Sequence, residues 1–364
     1  MTAKDLVQAV EASDTAKIIS LKEVIKDSSD PWGIHLALYP LVARVLNPPF
    51  INPHLPKMYH VCRDFLPHLS REGLSSLVYL ELLEYARRTK LDQMPAPAPT
   101  RSKVTFEDIE HAIADKDRSS AALLLAAFLE QEGWNRLCRR LLLLGSGYLS
   151  HSLGHSVSCT VFILLELLER SDAGAWPVLF LLADYFCKGG FQTTPPLRKR
   201  PDKPLKESLS RAVTGTGFVD LHHTITLYAI ESASSFFAPE EHGHLVATWA
   251  AFLDDKEIEP LSFASPGSID DYAEFHLVFA QRDVDLVLER IGGMLDSREG
   301  RSRLCAFLVT GVCDLYQGEY DPHYLTGLAA LFWVVNTFYD DSALVRNALY
   351  QYLGFLFRNL SVQA

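Results

Sequence analysis

The sequence lacks the short motifs by which many cofactor-dependent enzymes are identified. It contains no G-x-G-x-x-G, no G-K-[ST] phosphate loop, no G-x-S-x-G and no H-E-x-x-H. The first two motifs cradle phosphates, the third presents a nucleophilic serine and the fourth binds zinc from one helix. We therefore expect no nucleotide cofactor, and any catalytic site has to be found from other residues.

Membrane and export signals are missing as well. No stretch approaches the roughly 18 uninterrupted apolar residues that a membrane-spanning helix needs, and the first ten residues, MTAKDLVQAV, lack a basic segment followed by an apolar run. The six cysteines form no C-x-x-C pair and no regular framework spacing, which is typical of reduced thiols packed in a core. These absences predict a cytoplasmic protein with no membrane contact.

Positive charge is also scarce. The 364 residues carry 34 Lys and Arg against 45 Asp and Glu, so the formal net charge of −11 repels a phosphate backbone. One basic run, Arg198-Lys199-Arg200, stands among prolines and is better explained as a solvated loop than as a binding patch. We expect no nucleic-acid partner.

Strand signals are rare, whereas helical periodicity is common. No segment combines alternating apolar residues with Asn-Gly or Asp-Gly turns. Good helix formers with helical periodicity occupy Leu74 to Arg88, Ser119 to Glu130, Ser156 to Leu168, Leu245 to Leu253, Leu325 to Phe338 and Leu344 to Leu360. The sequence therefore predicts an all-α fold.

A repeat is visible between three Pro-rich or acidic segments, 93–103, 189–206 and 254–271, which resemble linkers. Asp14, Asp117 and Asp283 each precede an apolar helix. His54, His155 and His323 follow them by 40, 38 and 40 residues and each opens a third helix. We predict repeated three- or four-helix units stacked into a ring, bundle or solenoid, with units at 1–92, 104–190, 205–254 (partial) and 270–364.

Histidine is the residue type that points to chemistry. His155 and His223 occupy matched positions, because each is followed by the pattern [ST]-[VI]-[ST] on an apolar helix. His111 and His276 form a second matched pair, beside carboxylates and shortly before Asp117 and Asp283. Because repeated units arranged around an axis bring equivalent positions together, we predict that these four histidines bind one metal ion.

Several alternatives stay open for these residues. His222 can replace His223, since adjacent helix residues point about 100° apart. His151 lies four residues before His155, but Gly154 suggests that the helix begins after it. The same histidines can also be hydrogen-bonded core or cap residues without a metal. A carboxylate-bridged di-iron site has weak support, because the Glu-x-x-His pattern is only approximated, as in Asp108-x-x-His111.

At His155, at residues 222–226 (HHTIT) and at Asp270-Asp271 with His276, the chain resembles the questin-oxidase-like family. The resemblance implies an all-helical enzyme that oxidatively cleaves anthraquinone-type rings. It also implies a mononuclear non-haem iron held by several histidines, with a lysine completing the site. The expected lysine position, three residues after His276, holds Phe279, and Lys188 is not an equivalent replacement.

Two hypotheses follow. In the first, the chain is an iron-dependent oxygenase in which His111, His155, His223 and His276 bind the metal and an apolar pocket holds an aromatic or quinone-type small molecule. In the second, it is a non-catalytic α-helical repeat scaffold that binds other proteins.

Overall fold

The protein is described by a computed structural model that covers residues 2–91, 94, 103–170, 175–199, 204–253, 267–316 and 321–362. Within these residues the fold is all-α, as predicted: twenty α-helices and three short 3-10 helices are present, and the one β-type contact is an isolated bridge between Val45 and Lys90. Large parts of the proposed linkers 93–103 and 254–271 lie outside the described residues.

The α-helices, in chain order, are α1 (Ala3–Glu11), α2 (Thr15–Ser20), α3 (Lys22–Lys26), α4 (Pro31–Val42), α5 (His54–Val61), α6 (Arg71–Arg87), α7 (Phe106–Ala114), α8 (Arg118–Glu132), α9 (Trp134–Ser146), α10 (Leu149–Ser152), α11 (His155–Glu169), α12 (Trp176–Gly189), α13 (Leu205–Ala212), α14 (Phe218–Ser232), α15 (Pro239–Phe252), α16 (Tyr272–Phe279), α17 (Val284–Ile291), α18 (Arg298–Asp314), α19 (His323–Thr337) and α20 (Ser342–Val362). Among the described residues, no helix is both long enough and apolar enough to cross a bilayer.

The three aspartates that were predicted to begin repeat units share one local geometry. Each carboxylate accepts the backbone N–H three residues later and so caps the following helix, α2, α8 or α17. Each also follows a non-glycine residue with a φ of 56° to 58°. These pairs are Ser13-Asp14, Lys116-Asp117 and Arg282-Asp283. The start of each unit is therefore repeated, while superposition of whole units stays a prediction.

Four helices form a closed ring at the centre of the molecule. α11 packs against α5 and α14, and α19 packs against the same two helices from the other side. Both α11 and α19 are buried around most of their circumference, as expected for helices that are apolar on nearly all faces. Because α5, α11 and α19 each begin with a histidine, their first residues can meet at one end of the ring.

A buried ion cluster joins α11 to the last turn of α5 and the segment that follows it. Glu166 accepts hydrogen bonds from His60 Nδ1 at 3.0 Å, from Arg63 Nε at 2.7 Å and from Arg170 Nε at 2.8 Å. Burial opposes ionisation of this carboxyl, but the hydrogen bonds from His60 and Arg63 and their charges outweigh it and lower the pKa of Glu166 to about 2. The cluster therefore fixes the register between two of the ring helices.

Candidate metal centre

Three buried imidazoles converge at one end of the helix ring. His54 Nε2 lies 2.7 Å from His155 Nε2, which in turn lies 3.3 Å from His323 Nε2. One nitrogen from each of the three lies within 4.8 Å of the others. All three residues are almost fully buried, with at most 4% of their surface exposed. Among the described residues, this is the group of His, Cys, Asp or Glu side chains whose spacing suits a metal ion.

The backbone places these rings by starting a helix at each of them. At α11, the start is fixed by Leu153 and Gly154, which both have positive φ, 51° and 78°. A Cβ at Gly154 would lie 1.8 Å from Thr226 Oγ1 on α14, so only glycine allows this turn to approach that helix. This close contact sets the position of His155 relative to α14.

The second nitrogen of each ring has a neighbour that orients it. His155 Nδ1 donates to the Ser152 carbonyl at 2.6 Å, and His323 Nδ1 donates to Asp321 Oδ1 at 2.5 Å. His54 Nδ1 lies 3.1 Å from the side-chain amide of Asn47, which can present either its oxygen or its nitrogen. Metal-binding histidines almost always have such a partner on the nitrogen that does not bind the metal.

The spacing of the Nε2 atoms fits a metal ion. Metal–nitrogen bonds of about 2.0 to 2.1 Å place two ligand nitrogens about 2.9 Å apart at a right angle and about 3.4 Å apart at a tetrahedral angle. The observed separations of 2.7 and 3.3 Å are close to these values. With Nδ1 of His155 and His323 donating elsewhere, their Nε2 lone pairs face each other. A proton can bridge one such pair, whereas a metal ion can be shared by all three nitrogens.

Electrostatics favour the neutral imidazoles that a metal requires. Burial, together with the neighbouring histidines and Lys57, lowers the pKa of His54 and of His155 well below the usual value. Both rings are thus expected to be neutral at neutral pH, so no imidazolium charge opposes a cation. Binding through His54 Nε2 also requires the tautomer that carries its proton on Nδ1, with the Asn47 amide oxygen as the acceptor.

A fourth histidine ring borders the cluster. The His222 ring, on the first turns of α14, lies 4.7 Å from the His155 ring and 4.5 Å from the His323 ring, measured between centroids. His222 is also buried. All four ring helices therefore contribute a histidine to the same end of the bundle.

Of the four histidines predicted from the sequence, the structure brings His155 into the cluster. His223, the sequence neighbour of His222, is also buried, but its ring packs on Phe252, with the centroids 4.6 Å apart. His111 is exposed on α7 and lines a separate shallow surface pocket. His276 is half-buried on α16, beside Tyr272. The structure therefore does not bring these last three histidines into the cluster.

His54 and His323 were not among the predicted ligands, although the repeat register had marked both. They open the third helix of their units, as His155 does. A lysine was also missed: Lys57 stands three residues after His54, is fully buried, and donates to Ser158 Oγ at 3.1 Å. Burial lowers its pKa. The His-x-x-Lys spacing sought after His276 thus occurs after His54.

The cluster opens onto a cavity of about 640 Å³, within the range of about 300 to 1,000 Å³ typical of small-molecule sites. His54, His155 and His323 all line it. The remaining lining combines the apolar side chains Phe50, Ile51, Leu153, Phe191 and Pro322 with the polar side chains Asn47, Asn52, Glu84, Arg87, Arg88, His151, Ser152 and Asp321. A ligand in this cavity therefore lies beside all three histidines of the cluster.

Comparisons with protein-family models, curated proteins and solved structures gave no match to this chain. The geometry of the site therefore has to carry the functional argument.

Proposed function

We propose that the chain is a metal-dependent oxygenase, with a non-haem iron bound by His54, His155 and His323, that acts on an aromatic or quinone-type small molecule. The observation that carries the proposal is the convergence of three Nε2 atoms, each on an oriented and buried ring, at the wall of a cavity. The resemblance to the questin-oxidase-like family suggests iron and the aromatic substrate.

The protein groups have separable roles in this proposal. Three neutral imidazoles hold the ion, and bound iron supplies activation of O₂. Asp321 and the Ser152 carbonyl keep the rings of His323 and His155 in the metal-binding orientation. The apolar part of the cavity binds the ring of the substrate and excludes water from it.

Lys57 is suited to a positioning role beside the metal. Its ammonium or amine lies in a site without solvent exposure, one turn after His54 on α5. Its Nζ donates to Ser158 Oγ on α11, so it links the two helices that carry His54 and His155. The questin-oxidase-like resemblance, which implies a lysine at the metal site, is compatible with this placement.

Metal analysis tests the proposal directly. We expect purified protein, reconstituted anaerobically with iron(II) and then desalted, to retain about one ion per chain. His54→Gln, His155→Gln and His323→Gln should each lose that ion while keeping the helical circular dichroism of the parent. His111→Gln and His276→Gln serve as matched controls on helices outside the cluster, and both should retain it.

Activity is tested separately by oxygen uptake with a hydroxyanthraquinone. We expect uptake that requires iron and is lost in His155→Gln. If the protein retains none of Fe, Mn, Co, Ni, Cu or Zn, the metal-dependent function is wrong and the helical scaffold becomes the better account. If metal is retained only until His111 or His276 is replaced, the site lies elsewhere in the molecule.

A further inference from the structure

Two consecutive arginines lie on the wall of the histidine cavity. Arg87 ends α6, Arg88 follows it, and both line the cavity. Cations are common at the C-terminal ends of helices because they stabilise the helix dipole. That general effect does not explain why one buried carboxylate, Glu84, positions both guanidiniums.

Glu84 organises this arginine pair. It is 1% exposed and accepts a hydrogen bond from Arg88 Nη2 at 2.9 Å and another from the Tyr316 hydroxyl. The same hydroxyl accepts from Arg87 Nη1 at 3.0 Å, and the Arg87 guanidinium lies over the Tyr316 ring. A single buried acid thus positions two guanidiniums, one directly and one through a tyrosine.

The charges along the cavity leave room for an anion. Among its described lining residues, the carboxylates are Glu84, which accepts from Arg88 and Tyr316, and Asp321, which accepts from His323. These two negative charges balance the two guanidiniums, so a divalent ion on the histidines adds a surplus of about +2. This surplus forms in a protein whose net charge is −11. A negatively charged ligand complements it.

The rest of the cavity is suited to an aromatic ring. Phe50 and Ile51 are 61% and 46% exposed at its rim, an unusual exposure for large apolar side chains that line a pocket. The Phe50 ring lies 6.3 Å from the His54 ring and meets it edge-on. Arg88 and His54 line the same cavity. The apolar rim, the two arginines and the histidine cluster therefore line one cavity that is large enough for a small molecule.

We propose that the cavity binds an aromatic anion, such as an aromatic carboxylate or an ionised phenol, whose charged group is held by Arg87 and Arg88. The ring packs against Phe50 and Ile51. The inference names the substrate class of the proposed oxygenase and rests on that function. It accounts for a paired, positioned set of guanidiniums in a cavity that also exposes large apolar side chains.

Two probes of equal shape and different charge test the proposal: 2-naphthoate and 2-naphthamide, titrated by calorimetry into metal-loaded and metal-free protein. We expect naphthoate to bind at least about tenfold more tightly than naphthamide, as charge-assisted hydrogen bonds allow. Arg88→Gln should weaken naphthoate about tenfold and naphthamide less than about twofold. Arg87→Gln, at an exposed position, gives a second variant if Arg88→Gln does not fold.

The matched control is Arg211→Gln. Arg211 also pairs with a glutamate four residues earlier on its own helix, Glu207 on α13, but does not line the cavity. It should leave the affinity for both probes unchanged. If the two probes bind equally, if neither binds, or if the preference for naphthoate survives in the Arg87→Gln/Arg88→Gln double variant, the proposal is wrong.

The metal-free titration separates this inference from the oxygenase proposal. A preference for naphthoate that disappears on metal removal and is unchanged in both arginine variants means that the carboxylate binds the metal, which overturns the role of the arginines. A protein that holds no metal but still prefers naphthoate through Arg88 overturns the oxygenase and supports the anion site.

Discussion

Replacing Asp321 with asparagine is expected to weaken metal binding at the histidine cluster without unfolding the protein. Asp321 Oδ1 accepts His323 Nδ1–H at 2.5 Å and the backbone N–H of His323 at 2.9 Å. Burial opposes ionisation of Asp321, but its interaction with His323, which includes two hydrogen bonds, outweighs this effect and holds the pKa of Asp321 below its usual value. A neutral amide can still accept these hydrogen bonds, but it lacks the negative charge that strengthens the histidine as a metal ligand.

The size of the effect follows from what the carboxylate does. Loss of such an outer partner typically costs about 10- to 100-fold in metal affinity. Asp321→Asn keeps an acceptor, so its metal affinity should be about tenfold weaker than that of the parent, which corresponds to about 1.4 kcal/mol. Asp321→Ala removes the acceptor, so its metal affinity should be about 100-fold weaker, which corresponds to about 2.7 kcal/mol. His323→Gln removes a ligand and should lose more than either.

Competition of the protein with a chelating dye for cobalt(II) or zinc(II) measures these affinities. Asp117→Asn is the control, because Asp117 also accepts a backbone N–H, from Ser120 at 3.0 Å, yet it lies exposed at the start of α8. It should leave the metal affinity unchanged. If both Asp321 variants bind metal within about twofold of the parent, Asp321 does not orient a metal ligand and the role proposed for it is wrong.

Three further predictions concern stability. The pKa of Glu166 is about 2 in the folded chain and 4.5 ordinarily. Its ionised form therefore stabilises the folded chain fully above pH 4.5, and this stabilisation is lost as the pH falls toward 2. Glu166→Gln should therefore abolish about 3 kcal/mol of pH dependence in urea unfolding across that range, and an unchanged slope would contradict the low pKa. Lys57→Met should stabilise the metal-free protein, by about 1 to 3 kcal/mol, because it removes a buried amine. Burial lowers the pKa of Lys57, so the unfolded chain holds that proton more tightly and the gain in unfolding free energy should be larger at pH 7 than at pH 10. Gly154→Ala should lower the free energy of unfolding by about 2 kcal/mol or more, because this residue has a positive φ and the added Cβ would clash with Thr226. Thr226→Ala in the same chain should recover part of the lost melting temperature.

The fold could be predicted because helical signals act locally. The predicted segment Ser156–Leu168 corresponds to α11, and Leu344–Leu360 corresponds to α20, each with one or two residues added at either end. The predicted start at Leu74 was later than the observed Arg71, because Ser70 caps α6 by accepting the N–H of Gly73 and adds a polar first turn. Apolar periodicity begins only after such a turn.

The histidine cluster lies at positions that the repeat had marked, whereas the four predicted ligands were chosen by other signals. Nearby carboxylates favoured His111, but Asp108 is engaged in a capping box with Thr105 at an exposed helix start. The buried residues of α7, including Ile109 and Ala112, lie on the face opposite His111. Helix phase, which the sequence contains, therefore points His111 toward solvent.

The choice between His222 and His223 could not be made from phase. All sides of this part of α14 are buried, so periodicity gives no preferred direction for the two rings. Long-range packing determines which of the two rings joins the cluster. Because α14 lies between α11 and α19, the His222 ring lies next to His155 and His323. Contacts between residues more than 60 positions apart are not encoded in any short motif.

The direction of the ring helices links the metal proposal to the anion proposal. α5, α11 and α19 all begin at the cluster, so the partial positive charges of three helix N-termini meet there. This field disfavours protonated imidazole and so helps to keep His54 and His155 neutral, but it also disfavours a bare cation. The Asp321 carboxylate on His323 offsets part of that cost. An anionic ligand in the cavity offsets the remainder, so binding of the metal and binding of an aromatic anion should each strengthen the other.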